Sequence, residues 1–219
     1  MRLPDTLVEA ACDEIKRMIA TGELKAGDRL LEVQLAERLG ISRPPLREAL
    51  STLAARHILT LTPRRGYRVA PLSREDADEI YSLRNALERF ALDEMEASLA
   101  QADFGDIDKT MVEMWSAAHA DDHVGVFRAN REFHIALVDL AQHRRLSQMY
   151  RTLMEQMHLY MSFNLSSEAA SSGSLIDGCR RHDSLLDALK SGDRDRINQA
   201  FIRHGERKFM EIEDPWTTG

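Results

Sequence analysis

No apolar run in this sequence approaches the roughly 18 residues needed to span a bilayer. The opening stretch "MRLPDTLVEAACDEIKRM" is interrupted by acids where a signal peptide would be uniformly apolar. The pattern predicts a cytoplasmic protein with no membrane partner. Cysteine is nearly missing: Cys12 and Cys179 stand far apart and in no CxxC arrangement, which excludes a disulfide framework and a thiolate zinc site. Both are expected to be small packing residues. There is no internal repeat. The net charge is −7, so the chain as a whole lacks the positive excess expected of a nucleic-acid binder. The shortage is uneven. Residues 1–72 carry a net +3 and the remainder a net −10, a segregation expected if only the N-terminal part meets a polyanion.

That N-terminal part contains a succession of helix signals. Leu7, Ala11, Ile15, Met18 and Ile19 share one helical face, and Gly22 and Gly27 break the pattern after it. In "LEVQLAERLGIS" Leu31, Leu35 and Leu39 repeat every four residues, with Gly40 just past the end as a stop. Ser42 then offers a capping oxygen, and Pro44 and Pro45 fall in the first turn of the next helix, the place where a missing N–H is tolerated. Leu46, Ala49, Leu50 and Leu53 form its apolar stripe, and Arg43 and Arg47 lie together beside it. Two helices joined by so short a turn make a helix-turn-helix pattern, whose second helix enters the DNA major groove. After it, residues 58–62 and 67–70 read as two strands joined by "PRRG", a hairpin with cations at its tip.

The run "GDRLLEVQLAERLGISRPPLREALSTLAARHILTLTPRRGYRV" resembles the winged-helix domain of GntR-type bacterial transcription regulators, over about residues 10–70. The resemblance implies that Ser42, Arg43, Pro45 and Arg47 begin a recognition helix on double-stranded operator DNA, and that Arg64, Arg65 and Gly66 form the wing tip. Some members carry an arginine in the preceding helix where this chain has Val33, so that contact is expected to be absent.

From Ser73 onward helical periodicity takes over. Ser73 and Asp76 stand in capping-box positions, and Ile80, Leu83, Leu87 and Ala91 share a face of a helix running to about Ala100. Further helices are expected over about 104–120, 124–142, 146–165, 175–190 and 193–212, with a flexible connection at 166–174. The expected architecture is mostly α: a winged helix-turn-helix domain over residues 1–72, then an all-α bundle of about six helices over 73–219. Inside the bundle, "NREFH" puts Asn130 and His134 one above the other on one helical face, and His182 and His204 lie on later helices. Converging, they would form an N3O site suited to Zn2+ or Ni2+. By spacing alone they read first as ordinary core or surface histidines, and Met149, Met154, Met157 and Met161 read as core.

The order N-x-x-F-H, then "HDSLLDALKSGD", then His204 is similar to the FCD effector domain of the FadR-type branch of GntR regulators. The resemblance implies that Asn130, His134, His182 and His204 hold a divalent transition metal that helps bind a small organic-acid effector, in a homodimer that reads two operator half-sites. Asn130 stands where a carboxylate is usual, so the site is one negative charge short, which favours an anionic effector. Arg84, in an R-x-x-x-E pair with Glu88, carries two readings: a partner for the effector carboxylate, or an i,i+4 ion pair on the helix surface. His143 and Arg144 occupy the place of a frequent Gly-Asn. Two rival functions stay open here, a metal-free sensor and a metalloenzyme domain whose three histidines activate water. Against the enzyme, Glu132 points off the Asn130/His134 face and no other base is identifiable by spacing.

Overall fold

The structure, a computed structural model, describes residues 6–70, 74–96, 98–168 and 175–205, with Ala20, Arg74, Ala77 and 158–168 described by their backbone alone. The expectations at Ser73, at the Met161 side chain, and over 169–174 and 206–212 lie outside the described residues. Two compact units result: one holds the residues up to Ala77 together with Glu155–Ser166, the other the remainder.

In the first unit, helix α1 (Leu7–Ala20) is capped by Thr6, whose side chain accepts from the Glu9 N–H. Ala11, Ile15, Met18 and Ile19 are buried, whereas Leu7, in the first turn, is exposed. Helix α2 (Glu32–Leu39) ends at Gly40, which takes the left-handed conformation (φ 63°) that only glycine adopts without strain. Helix α3 (Arg43–Ala55) follows at once. Ser42 has the extended backbone of a capping residue, yet its side chain makes no capping bond. The cause is local: a cap bonds the second or third helical N–H, and here those positions are Pro44 and Pro45, which have none. The prolines themselves set the start of the helix. Leu46, Ala49, Leu50 and Leu53 are fully buried against α1.

Strands β1 (Leu59–Thr62) and β2 (Gly66–Val69) pair antiparallel, Leu59 opposite Val69 and Thr62 opposite Gly66. The free edge of β2 is covered by residues that read as a turn in the sequence: Leu30 donates to the Tyr67 carbonyl at 2.9 Å and Val69 to that of Asp28 at 2.9 Å. This gives the short hairpin a second row of backbone bonds and anchors its base to the domain core.

After the hairpin come α4 (Arg74–Met95), a 3-10 turn (Leu99–Gln101), α5 (Gly105–His119), α6 (His123–Asp139), the long α7 (Arg144–Glu168), α8 (Leu175–Ser191) and α9 (Arg194–Gly205); apart from Arg74–Ala77 and Glu155–Ser166, which group with the first unit, they make up the second. The expected single helix to Ala100 stops at Met95, and α7 runs past the expected Leu165. Helices α5 and α6 pack closely because Gly125 allows it: a Cβ there would fall 2.9 Å from that of Ala117. The connection into α7 turns at Gln142, which holds φ 50°, one position before the His143–Arg144 pair singled out in the sequence. Cys179 and Cys12 are buried free thiols, and Met154 and Met157 are core, but Met149 is exposed.

Candidate metal centre and nucleic-acid interface

Helix α4 carries the surprise of the bundle. Its inward stripe is Ile80, Arg84, Glu88, Ala91 and Met95, and Leu83 faces outward. Two charged residues therefore occupy core positions, which is tolerable only when they compensate each other. Arg84 Nε donates to Glu88 Oε1 at 2.9 Å, and the hydroxyl of the fully buried Tyr150 on α7 donates to the same oxygen. The Arg84–Glu88 ion pair read as a surface feature is a buried one. Burial alone would raise the Glu88 carboxyl, but the Arg84 charge, then His134, bring it down to about 2.

The other face of this pair meets the histidines. Glu88 Oε1 lies 3.0 Å from His134 Nδ1, although off the line of a well-formed hydrogen bond. His134 on α6, His182 on α8 and His204 on α9 converge: the Nε2 atoms of His182 and His204 lie 3.4 Å and 3.2 Å from that of His134. His182 Nδ1 donates to the Gly178 carbonyl at 2.8 Å, so its Nε2 is left with a lone pair. A carboxylate beside His134 Nδ1 favours the same tautomer there. Phe133, fully buried, packs edge-on against both His134 and His182, with centroids 5.4 Å and 4.9 Å away, and fixes their ring planes. Burial first, then neighbouring positive groups, hold all three imidazoles below their usual range, so they are neutral at pH 7, the form that binds metal. Arg84 Nη2 also faces this cluster, 3.4 Å from His134 Nε2. Asn130 stands one turn before His134 on α6, half-buried. The carboxylate beside the cluster, Glu88, was absent from the sequence reading of the site; its only signal was the i,i+4 spacing from Arg84.

Hollows flank the bundle. One of about 350 Å3 between α8 and α9 is walled by Arg181, Arg196, Arg203 and Asp187 and reaches His204. A larger one, about 630 Å3, lies between α5 and α6 and is lined by acids including Glu132. Glu132 pairs with Arg131 and faces away from the histidines, as its spacing implied.

In the first unit, Ser42, Arg43 and Arg47 are exposed at the start of α3, with Pro45 half-buried beside them. Arg43 and Arg47 both reach Glu32, the first residue of α2. Arg64 and Arg65 are exposed at the hairpin tip, with Arg64 at φ 63° and Gly66 at φ 82°.

A helix-turn-helix with a basic wing, joined to an all-α unit holding a buried polar cluster, is the architecture of a DNA-binding regulator. The sequence matches the family described as bacterial regulatory proteins, gntR family, over residues 7–69, and the FCD domain over residues 79–207. The chain belongs to the GntR family of bacterial regulators that carry an FCD domain. It is similar to the HTH-type transcriptional regulator LutR of Bacillus subtilis (strain 168), 30% identical over 207 residues, 85% of this chain and 92% of that one. The gluconate operon transcriptional repressor of Bacillus licheniformis is 26% identical and matches 96% of this chain and 86% of its own. The solved structure of E. coli McbR/YncC superposes with a TM-score of 0.75 at 25% identity, covering 94% of this chain and 96% of that one. These relatives are transcription regulators and not enzymes, and among the described residues no helix is long and apolar enough to cross a membrane.

Proposed function

We propose that this chain is a cytoplasmic, homodimeric, FadR-type regulator that binds double-stranded operator DNA and senses a small organic acid through a divalent transition metal, Zn or Ni. The domain boundary at 72/73 divides the two tasks. In the first, Ser42, Arg43, Pro45 and Arg47 meet the major groove, while Arg64, Arg65 and Gly66 lie along phosphates or the minor groove. In the second, Asn130, His134, His182 and His204 hold the metal. The observation that carries this is the convergence of three imidazole Nε2 atoms, two of them with the proton drawn to Nδ1 by a neighbour. Lone pairs facing one another in a buried site are repulsive unless a cation lies among them. The donor set fits a divalent ion.

Bound there, such an ion supplies a positive centre for an anion. The protein's own contribution is Arg84, whose Nη2 faces the cluster and can pair with a carboxylate of the effector. The arginine-walled groove that reaches His204 is also suited to an anionic ligand. Effector and operator are then coupled through the difference in effector affinity between two dimer arrangements.

Metal content measured by plasma mass spectrometry, wild type beside His134→Ala, tests the reading. About one divalent ion per chain in the wild type and none in the variant is expected, followed by a thermal-shift screen of carboxylates on the metal-loaded protein. No metal in either discards the four-residue assignment and favours a metal-free sensor in which Arg84 and the histidines bind the effector directly.

A further inference from the structure

The two arginines at the start of α3 share one carboxylate. Arg47 Nε donates to Glu32 Oε2 at 2.7 Å and Arg43 Nη2 to the same oxygen at 3.3 Å. Glu32 is largely covered, with a side chain 24% exposed, whereas the arginine side chains are 59% and 55% exposed. Its position is fixed twice: it opens α2, where a negative charge is stabilised by the helix dipole, and it spans the turn to α3. The Arg47 hydrogen bond, with a further one from Arg43, holds its carboxyl below the usual range, so the bridge is charged under ordinary conditions. Val33, the next residue, is exposed and neutral, so the leading edge of α2 offers DNA no cation to offset this acid.

We infer that Glu32 is a specificity-determining counter-charge, which holds Arg43 and Arg47 as a preoriented pair and suppresses their binding to DNA of the wrong sequence. The inference rests on the reading of α3 as the recognition helix. An unshielded arginine pair is attracted to phosphate whatever the sequence. Sharing one carboxylate cancels one of the two charges and fixes both guanidinium planes. On a duplex the acid lies close to a polyanion. Only a site whose base acceptors engage both arginines in their fixed orientation compensates for that repulsion, and any other sequence leaves it uncompensated. The device lowers non-specific affinity more than specific affinity.

The test uses the full-length protein, a duplex enriched by in vitro selection with the wild type, and a random duplex of equal length. Glu32→Gln is expected to bind the random duplex about five- to tenfold more tightly and the selected duplex within about twofold, so that discrimination falls. Its slope of log affinity against log salt on the random duplex steepens by about one, the signature of one more neutralised phosphate. Glu32→Asp keeps the charge but is too short to reach both arginines, and is expected to lose part of the discrimination. It also serves if Glu32→Gln folds poorly. Wild-type discrimination and salt slope in both variants overturn the inference. So does weaker binding of the selected duplex with the random one unchanged, which makes Glu32 itself a base contact. A wild type that enriches no duplex removes the DNA-recognition reading and this role with it.

Discussion

Glu88 and His134 face each other across 3.0 Å, Oε1 to Nδ1, with both side chains 1% exposed. The carboxylate is shared: Arg84 and Tyr150 donate to the same oxygen, while Oε2 makes no hydrogen bond. One buried anion thus balances the only buried arginine among the described residues and orients the central imidazole of the cluster. Fold and site depend on the same group.

Glu88→Gln is therefore expected to act on both. It leaves Arg84 buried without its counter-charge, a change that costs about 3–5 kcal/mol in comparable buried pairs, and thermal unfolding should show it. It also removes the group that sets the His134 tautomer, which typically weakens metal binding about 10- to 100-fold, measurable by chelator competition well below the unfolding temperature. The double variant Arg84→Met with Glu88→Gln separates the two effects. Stability should recover because no lone charge remains, while metal affinity stays low. Equal recovery of both would mean that Glu88 acts on the site only through the fold.

This double role explains why the site was only half legible in the sequence. His134, His182 and His204 could be placed on separate helices because apolar periodicity marks those helices, and a resemblance to FCD domains joined them. Glu88 was hidden because periodicity assigns charged residues to the outside: the stripe drawn through Ile80 and Leu83 is off by one position, and the true stripe passes through Arg84 and Glu88. Ser42 misled in the opposite way. It stands where a cap belongs, but the two prolines after it remove the donors a cap needs. The β-edge covered by residues 28–30 could not be read at all, since a bridge of so few residues leaves no alternation to detect.

On the proposed reading of the metal centre, Asn130→Asp places a carboxylate beside the ion, one turn before His134. A unit charge at about 4 Å is worth about 4 kcal/mol per opposite charge at an effective dielectric of about 20, so the variant should hold its metal at least about tenfold more tightly in chelator competition. The same charge opposes an incoming anion. Thermal-shift titrations with the carboxylates that stabilise the wild type should give weaker effector binding. The two affinities moving in the same direction would show that residue 130 is not beside the ion.

At the wing tip Arg64 holds φ 63°, a conformation that costs a non-glycine residue about 1 kcal/mol or more. Arg64→Gly should relieve that strain, leaving thermal stability unchanged or slightly raised, and yet weaken DNA binding and make its salt slope shallower by about one. Stability and affinity moving in opposite directions would mark the strain as one maintained for function. Unchanged affinity and slope would leave Arg64 an ordinary surface cation.

For Arg47 the question is whether charge or shape matters. Its side chain is 59% exposed, so its removal should cost the fold little. Arg47→Ala is expected to weaken binding to a selected duplex by about 1–3 kcal/mol at fixed salt, the value of one good bidentate base contact. Arg47→Lys keeps the charge but loses the planar fork, and with it the Nε bond to Glu32 and a bidentate hold on a guanine edge. Its salt slope should match the wild type while its discrimination between selected and random duplexes falls toward that of the alanine variant. If lysine restores discrimination in full, Arg47 contacts phosphate only, and base reading must come from elsewhere on α3.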